Sequence, residues 1–84
     1  MSKKAFGKVI REIRTEKGLT QEKLAELAEV DRTYIYRIEY GLREPSFSIF
    51  FKLIEGLKIS SEEFISKYKA EIKQEKSPRK KIKK

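Results

Sequence analysis

The 84-residue chain contains no cysteine and no histidine, and these two absences exclude several kinds of site. Without cysteine, neither disulfides nor thiolate-bound metals can support the fold, and a reducing cytoplasm suits the chain. Without histidine, the chain lacks both the commonest general base of enzymes and the commonest metal ligand of proteins. We therefore expect a protein that is not an enzyme, holds no metal or other cofactor, and is stabilised by side-chain packing.

Long apolar runs are also missing. No stretch of about eighteen apolar residues occurs, as a membrane-spanning helix requires, and residues 1–8 lack the apolar run of a secretory signal. A chain of this length makes a single domain with a modest core. We expect a soluble cytoplasmic protein with no targeting segment, no membrane partner and no small-molecule ligand.

The net charge of +8 is distributed unevenly along the chain. Residues 76–84, with the sequence KSPRKKIKK, hold six of the 21 basic residues and no acid, which leaves residues 1–75 with a net charge of only +2. Net charge alone therefore supports nucleic-acid binding weakly, because lysine-rich tails occur on many soluble proteins. We predict a folded domain over residues 1–75 and a basic, disordered tail over residues 76–84.

Apolar spacing and capping residues predict five helices and no strand. The first three are expected at residues 5–17, 21–28 and 32–40, where Thr20 and Asp31 are N-caps and Gly18 and Gly41 are stops. A fourth helix follows a Ser46 cap and ends at residue 57. A fifth opens at a capping box of Ser60 and Glu63 and frays near residue 76. The fold class is therefore all-α.

The third helix has two faces with different chemistry. At about 100 degrees per residue, its polar residues fall within an arc of roughly 140 degrees. Arginine can bond guanine bidentately, threonine offers a hydroxyl and a methyl to bases, and tyrosine can reach phosphates. The arc consists of Arg32, Thr33, Tyr36, Arg37 and Tyr40. Ordinary surface helices also carry polar faces, but here a preceding helix and a tight turn complete a helix-turn-helix.

Gln21 begins the second helix, where free backbone amides can bind phosphate. The alternative is an ordinary solvated glutamine at the start of a helix. As a candidate for DNA contact, Gln21 therefore ranks below the arginines of the third helix.

From residue 6 to residue 64 the chain resembles the phage-repressor-like (XRE-type) helix-turn-helix family, and the stretch LTQEKLAELAEVDRTYIYRIEYGLREPS, residues 19–46, carries most of the likeness. The resemblance implies a five-helix lambda-repressor-like DNA-binding domain with the helix-turn-helix in helices 2 and 3. It implies base contacts by Arg32, Thr33, Tyr36 and Arg37. Contacts with the DNA backbone are assigned to Gln21, Tyr34, Tyr40 and Arg43.

The resemblance singles out one further position and one pair of residues. Many family members have glycine where this chain has Glu29, and a glutamate in a left-handed turn costs about 1 kcal/mol. Arg14 and Glu39 match a pair that links the first and third helices. We interpret this pair as structural. Glu39 lies on the arc of the third helix opposite its polar arc, which is expected to face the core, and its charge needs a partner there.

The fourth helix has more apolar surface than one core requires. Phe47, Phe50, Leu53, Ile54 and Leu57 are predicted to form its core stripe. Ile49 and Phe51 widen the apolar arc to roughly 200 degrees. We expect a homodimer interface at Ile49 and Phe51, with contributions from Tyr68 and Ile72 of the fifth helix. The alternative is that Ile49 and Phe51 lie under the fifth helix and close the monomer core.

The function that these patterns favour is sequence-specific transcription regulation by a homodimer on a palindromic DNA operator. The alternative is an antitoxin or coactivator of the same fold that mainly holds a protein partner. The DRTYI run, residues 31–35, is similar to the small controller proteins of restriction-modification systems. The tail either adds non-specific phosphate contacts or is merely solvated.

Overall fold

A computed structural model describes residues 2–76 of the chain. Its five helices are α1 (Lys3–Glu16), α2 (Gln21–Ala28), α3 (Arg32–Glu39), α4 (Phe47–Leu57) and α5 (Ser61–Lys76). None of the helices in this part of the chain is long and apolar enough to cross a membrane. The basic tail predicted for residues 76–84 lies outside the described residues, apart from the backbone of residue 76.

Every helix begins at a short polar side chain that accepts a hydrogen bond from an otherwise free backbone N–H. The caps anticipated from the sequence are all present: Thr20, Asp31, Ser46 and Ser60, with distances of 2.9–3.4 Å. The cap of α1 is Ser2, whose hydroxyl accepts from the Ala5 N–H at 3.0 Å. Helix α1 therefore starts at Lys3, two residues before its predicted start at residue 5.

The first four helices end in the same hydrogen-bonded motif. A residue with left-handed backbone donates its N–H to the carbonyl three positions earlier, and the next residue donates to the carbonyl five positions earlier, at 2.8–3.3 Å. The left-handed residues are Gly18, Glu29, Gly41 and Lys58, with φ of 58–71°. Two of these four positions therefore carry a side chain where glycine is the easier residue.

The core lies between α1, α2, α3 and α4, and one buried aromatic side chain from α5 completes it. Phe64 of α5 packs against Phe6 of α1 and Phe50 of α4, with ring centroids 4.9 and 5.3 Å apart. The other fully buried large side chains are Val9, Ile10, Leu24, Ile35, Ile38, Leu53 and Leu57.

Two glycines allow helices to pack with almost no side chain between them. A Cβ at Gly7 of α1 would overlap the backbone oxygen of Ile38 in α3. A Cβ at Gly56 of α4 would lie 3.1 Å from the backbone nitrogen of Ala28 in α2. The two helices of the helix-turn-helix are thus each in backbone contact with a different supporting helix.

Helix α5 is attached to α1 by polar contacts as well as by Phe64. The Tyr68 hydroxyl accepts from the Ser2 N–H at 2.8 Å. Lys8 forms an ion pair with Glu71 at 2.9 Å, and the hydrogen bond with Glu71 raises the pKa of Lys8. Because Lys8 is exposed, this pair is weakened by solvent and salt.

The prediction that Phe47 belongs to the core stripe of α4 is wrong. Phe47 is 76% exposed, whereas Leu53 and Leu57 farther along the same helix are fully buried. It is the first residue of α4 and projects beyond the end of the core. The centroid of its ring lies 5.0 Å from that of Phe51. Apolar periodicity identified the face of the helix but not how far the core extends along it.

Candidate nucleic-acid interface

Helix α3 divides into a buried and an exposed face, as its sequence predicts. Ile35 and Ile38 are fully buried and anchor the helix to the core. The exposed side chains are those of Arg32, Thr33, Tyr36, Arg37 and Tyr40. Two guanidinium groups, one hydroxyl and two phenols therefore point away from the protein along about two turns of helix.

The N-terminal part of this face adjoins the start of α2. Gln21, Arg32, Thr33 and Tyr36 line a shallow concave surface of about 260 Å³. Four of the residues predicted from the sequence to contact DNA are thus brought together at one site, although they come from two helices. Each of these side chains carries a hydrogen-bond donor, which suits an anionic partner with acceptors on its base edges.

The aromatic residues of the exposed face are partly ordered by one another. The rings of Tyr36 and Tyr40, one helical turn apart, lie with their centroids 4.6 Å from each other and are tilted by 42°. Aromatic pairs of this geometry are attractive, so each ring restricts the orientation of its neighbour. Tyr36 is 47% and Tyr40 is 56% exposed, so both side chains remain accessible to a partner.

Tyr34 and Arg43 form a second pair beside this face. Tyr34 is half-buried against the core, and the Arg43 guanidinium lies 4.7 Å from the centroid of its ring. A cation at this distance from an aromatic face is attracted to it and is held in place. The sequence indicated each residue separately, but their contact depends on the path of the chain between α3 and α4.

The buried end of α3 carries a charge that is fully paired. The side chain of Glu39 is 1% exposed, and its two carboxylate oxygens accept from the Arg14 guanidinium at 2.6 and 2.9 Å. Arg14 also donates to the Leu19 carbonyl at 2.8 Å. Glu39 and Arg14 therefore join the end of α3 to α1 and to the turn after it.

The amide of Gln21 belongs to the same hydrogen-bonded group. Its Nε2 donates to Oε1 of Glu39 at 3.0 Å. The sequence predicts only a DNA-backbone contact or a solvated side chain for Gln21. No sequence signal linked Gln21 to Glu39, because the two are 18 residues apart and meet only in the folded chain.

The residues predicted to form a dimer interface lie in two different environments. Ile49 is half-buried and packs on the core of its own chain, whereas Phe51 is 46% exposed. Tyr68 and Ile72 are half-buried on α5. Beside them lies an open apolar depression of about 190 Å³. It is lined by Phe6, Pro45, Ser46, Phe47, Phe50, Phe64, Ile65 and Tyr68.

A helix-turn-helix family profile matches residues 10–64, from the middle of α1 to the first turn of α5. The chain belongs to the helix-turn-helix family. Its fold class and its resemblance to this family are therefore as the sequence predicted.

Other helix-turn-helix proteins resemble the chain in sequence and in structure. The regulator YqaF of Bacillus subtilis, described as an uncharacterized HTH-type transcriptional regulator, is 42% identical over 50 residues, which cover 60% of this chain and 66% of YqaF. Other curated relatives are much longer, and the chain spans 14–18% of their length. The names of these relatives describe HTH-type transcriptional regulators, in line with the expectation that the chain is not an enzyme.

Solved structures of restriction-modification controller proteins share the fold. Wild-type C.Esp1396I superposes with a TM-score of 0.84 at 35% identity, covering 88% of this chain and 96% of that one. C.AhdI from Aeromonas hydrophila gives 0.71 at 42% identity, covering 74% and 94%. C.Esp1396I has also been solved bound to a 19 base pair DNA duplex. Its solved variants replace an arginine, a threonine and a tyrosine at consecutive positions, and an arginine nine positions after the tyrosine.

Proposed function

We propose that this protein is a sequence-specific transcriptional regulator that binds a palindromic DNA operator as a homodimer, with α3 in the major groove. The observation that carries the proposal is the exposed face of α3. It presents Arg32, Thr33, Tyr36 and Arg37 outward, beside Gln21. In this proposal the first four contact base edges, and Gln21, Tyr34, Tyr40 and Arg43 contact the DNA backbone.

Four of the assigned positions have counterparts, by spacing, among those substituted in a controller protein. The positions substituted in C.Esp1396I have the same spacing as the run of Arg32, Thr33 and Tyr34, followed nine positions later by Arg43. In the present structure the last two of these side chains are in contact. We therefore expect Arg43 to reach a phosphate from a position that the Tyr34 ring already restricts.

The exposed apolar surface at the start of α4 supports the homodimer. Phe47, Phe51 and Ile65 are 76%, 46% and 40% exposed and lie at or beside the apolar depression. Large apolar side chains grouped on the surface of a small domain mark an interaction site. Phe47 thus joins Phe51, Tyr68 and Ile72 in the proposed interface, and Ile49 supports them from within. A two-fold dimer would place its α3 helices about 34 to 36 Å apart, in successive major grooves.

The proposal is tested by selecting binding sites from a random DNA library. The wild-type protein should enrich a palindrome whose half-sites are about one helical turn apart. The double variant Arg32→Ala, Arg37→Ala should reduce the enrichment of particular bases within that palindrome. A matched double variant, Lys69→Ala with Lys73→Ala, removes the same charge from exposed positions of α5 and should leave the sequence preference unchanged.

Failure to enrich any sequence, with binding that only falls as salt rises, would contradict the proposal. The protein would then be better described as an interaction module of the same fold, such as an antitoxin or coactivator.

A further inference from the structure

The Glu39 carboxylate accepts a third hydrogen bond in addition to the two that it accepts from Arg14. Arg14 alone supplies two charge-assisted hydrogen bonds in a side-by-side arrangement, which pairs and neutralises a buried carboxylate. The third bond comes from Gln21, whose amide extends from the first residue of α2 toward the end of α3. This bond reaches from the protein interior to the concave surface that Gln21 shares with Arg32 and Thr33.

The chemistry of the carboxylate determines which way the Gln21 amide faces. An ionised carboxylate only accepts hydrogen bonds, so the amide must turn its nitrogen, and not its oxygen, toward Glu39. One N–H of the NH₂ group is then used in the protein. The second N–H is held in the plane of the same amide, so its direction is restricted by the bond to Glu39.

We propose that Glu39 is a positioning residue for DNA recognition, which holds the Gln21 amide so that its second N–H is directed at a phosphate of the operator. The inference rests on the proposed DNA-binding function. It gives Glu39 a role beyond its structural pairing with Arg14. A glutamine without this contact would lose rotamer freedom on binding, whereas a glutamine already held by Glu39 loses less.

The test is a double-mutant cycle on DNA affinity, using the duplex operator obtained from the library selection. Gln21→Met keeps the length of the side chain, leaves the Arg14 pair intact and removes the amide donors. It should weaken binding about tenfold per bound protomer, the effect of one hydrogen bond to a charged group. Gln74→Met on α5, the same change at an exposed position, should have no effect.

Glu39→Gln should weaken DNA binding about three- to tenfold per protomer in the wild-type background, because the amide at position 21 is no longer held in one orientation. In the Gln21→Met background it should cause no further loss, although it should lower thermal stability in both backgrounds. A purely structural role predicts that the two losses in affinity multiply. If Glu39→Gln does not fold, Gln21→Asn keeps the amide but is too short to span both partners, and it should bind as weakly as Gln21→Met.

The outcomes separate this inference from the proposed function. Wild-type protein that binds no DNA sequence specifically would overturn both. Specific binding by the wild type, together with losses that multiply or with Gln21→Asn binding like the wild type, would overturn the role of Glu39 alone.

Discussion

Replacing Glu29 by glycine should stabilise the protein. Glu29 has φ of 59° and ψ of 45° at the end of α2, where an L-residue is strained by about 1 to 2 kcal/mol. Glycine relieves this strain, but it also gives the unfolded chain more freedom, at a cost of about 0.4 to 1 kcal/mol. The net gain should therefore be about 0.8 kcal/mol, within limits of about 0 and 1.6 kcal/mol, since the exposed side chain contributes no buried packing.

For a domain of this size, a gain of about 1 kcal/mol raises the melting temperature by about 4 to 8 °C. Thermal unfolding followed by circular dichroism measures this shift. Glu29→Ala is the control that separates charge from backbone, because alanine removes the carboxylate and keeps the strained conformation. Lys58→Gly, at the equivalent left-handed position of α4, should be stabilising to a similar degree.

The reasoning would be refuted if Glu29→Ala stabilised the protein as much as Glu29→Gly, since the charge and not the backbone would then be responsible. DNA affinity supplies a second comparison. Both changes at position 29 remove an acid three residues before Arg32 in the chain and should strengthen binding to the same small extent, whereas Lys58→Gly should not strengthen it.

Three other changes test separate parts of the structure. Phe47→Ser should dissociate the dimer at micromolar concentration in analytical ultracentrifugation, with little change in melting temperature. Leu42→Ser, another change of an exposed apolar side chain, should leave the dimer intact. A wild-type protein that is already a monomer would contradict the proposed interface. Gly7→Ala should destabilise the fold by about 1 to 3 kcal/mol in urea unfolding, because the new methyl group meets the Ile38 backbone, and an unchanged midpoint would show that α1 can move aside. Removing residues 76–84 should weaken DNA binding uniformly across sequences and reduce its salt dependence, and an altered sequence preference would argue against this role for the tail.

The order and type of the helices could be predicted because the signals are local. A short polar residue before an apolar repeat both starts a helix and is visible in the sequence, as at Thr20 and Ser46. The exposed face of α3 could also be predicted, since burial of Ile35 and Ile38 determines where Arg32 and Arg37 point. At Ser2 the same local signal precedes two lysines instead of apolar residues, so apolar periodicity does not reveal this cap.

The features that the sequence did not reveal depend on contacts between distant segments. The bond between Gln21 and Glu39 requires the start of α2 and the end of α3 to meet. The apolar spacing within one helix does not report the distance between two helices. The stacking of Arg43 on Tyr34 likewise depends on the turn after α3. The exposure of Phe47 depends on where the neighbouring helices end, which no single-helix pattern reports.

The close backbone contacts at Gly7 and Gly56 have a thermodynamic consequence for binding. Helix α3 lies directly on α1, and α2 lies directly on α4, so neither helix of the helix-turn-helix can shift on its supporting helix without opening a backbone contact. The recognition unit is therefore preorganised, and the entropy lost on association should come from surface side chains and from the nucleic acid rather than from the main chain. Sequence preference would then include, besides the base contacts of α3, how readily a given DNA adopts the shape that this fixed pair of helices requires.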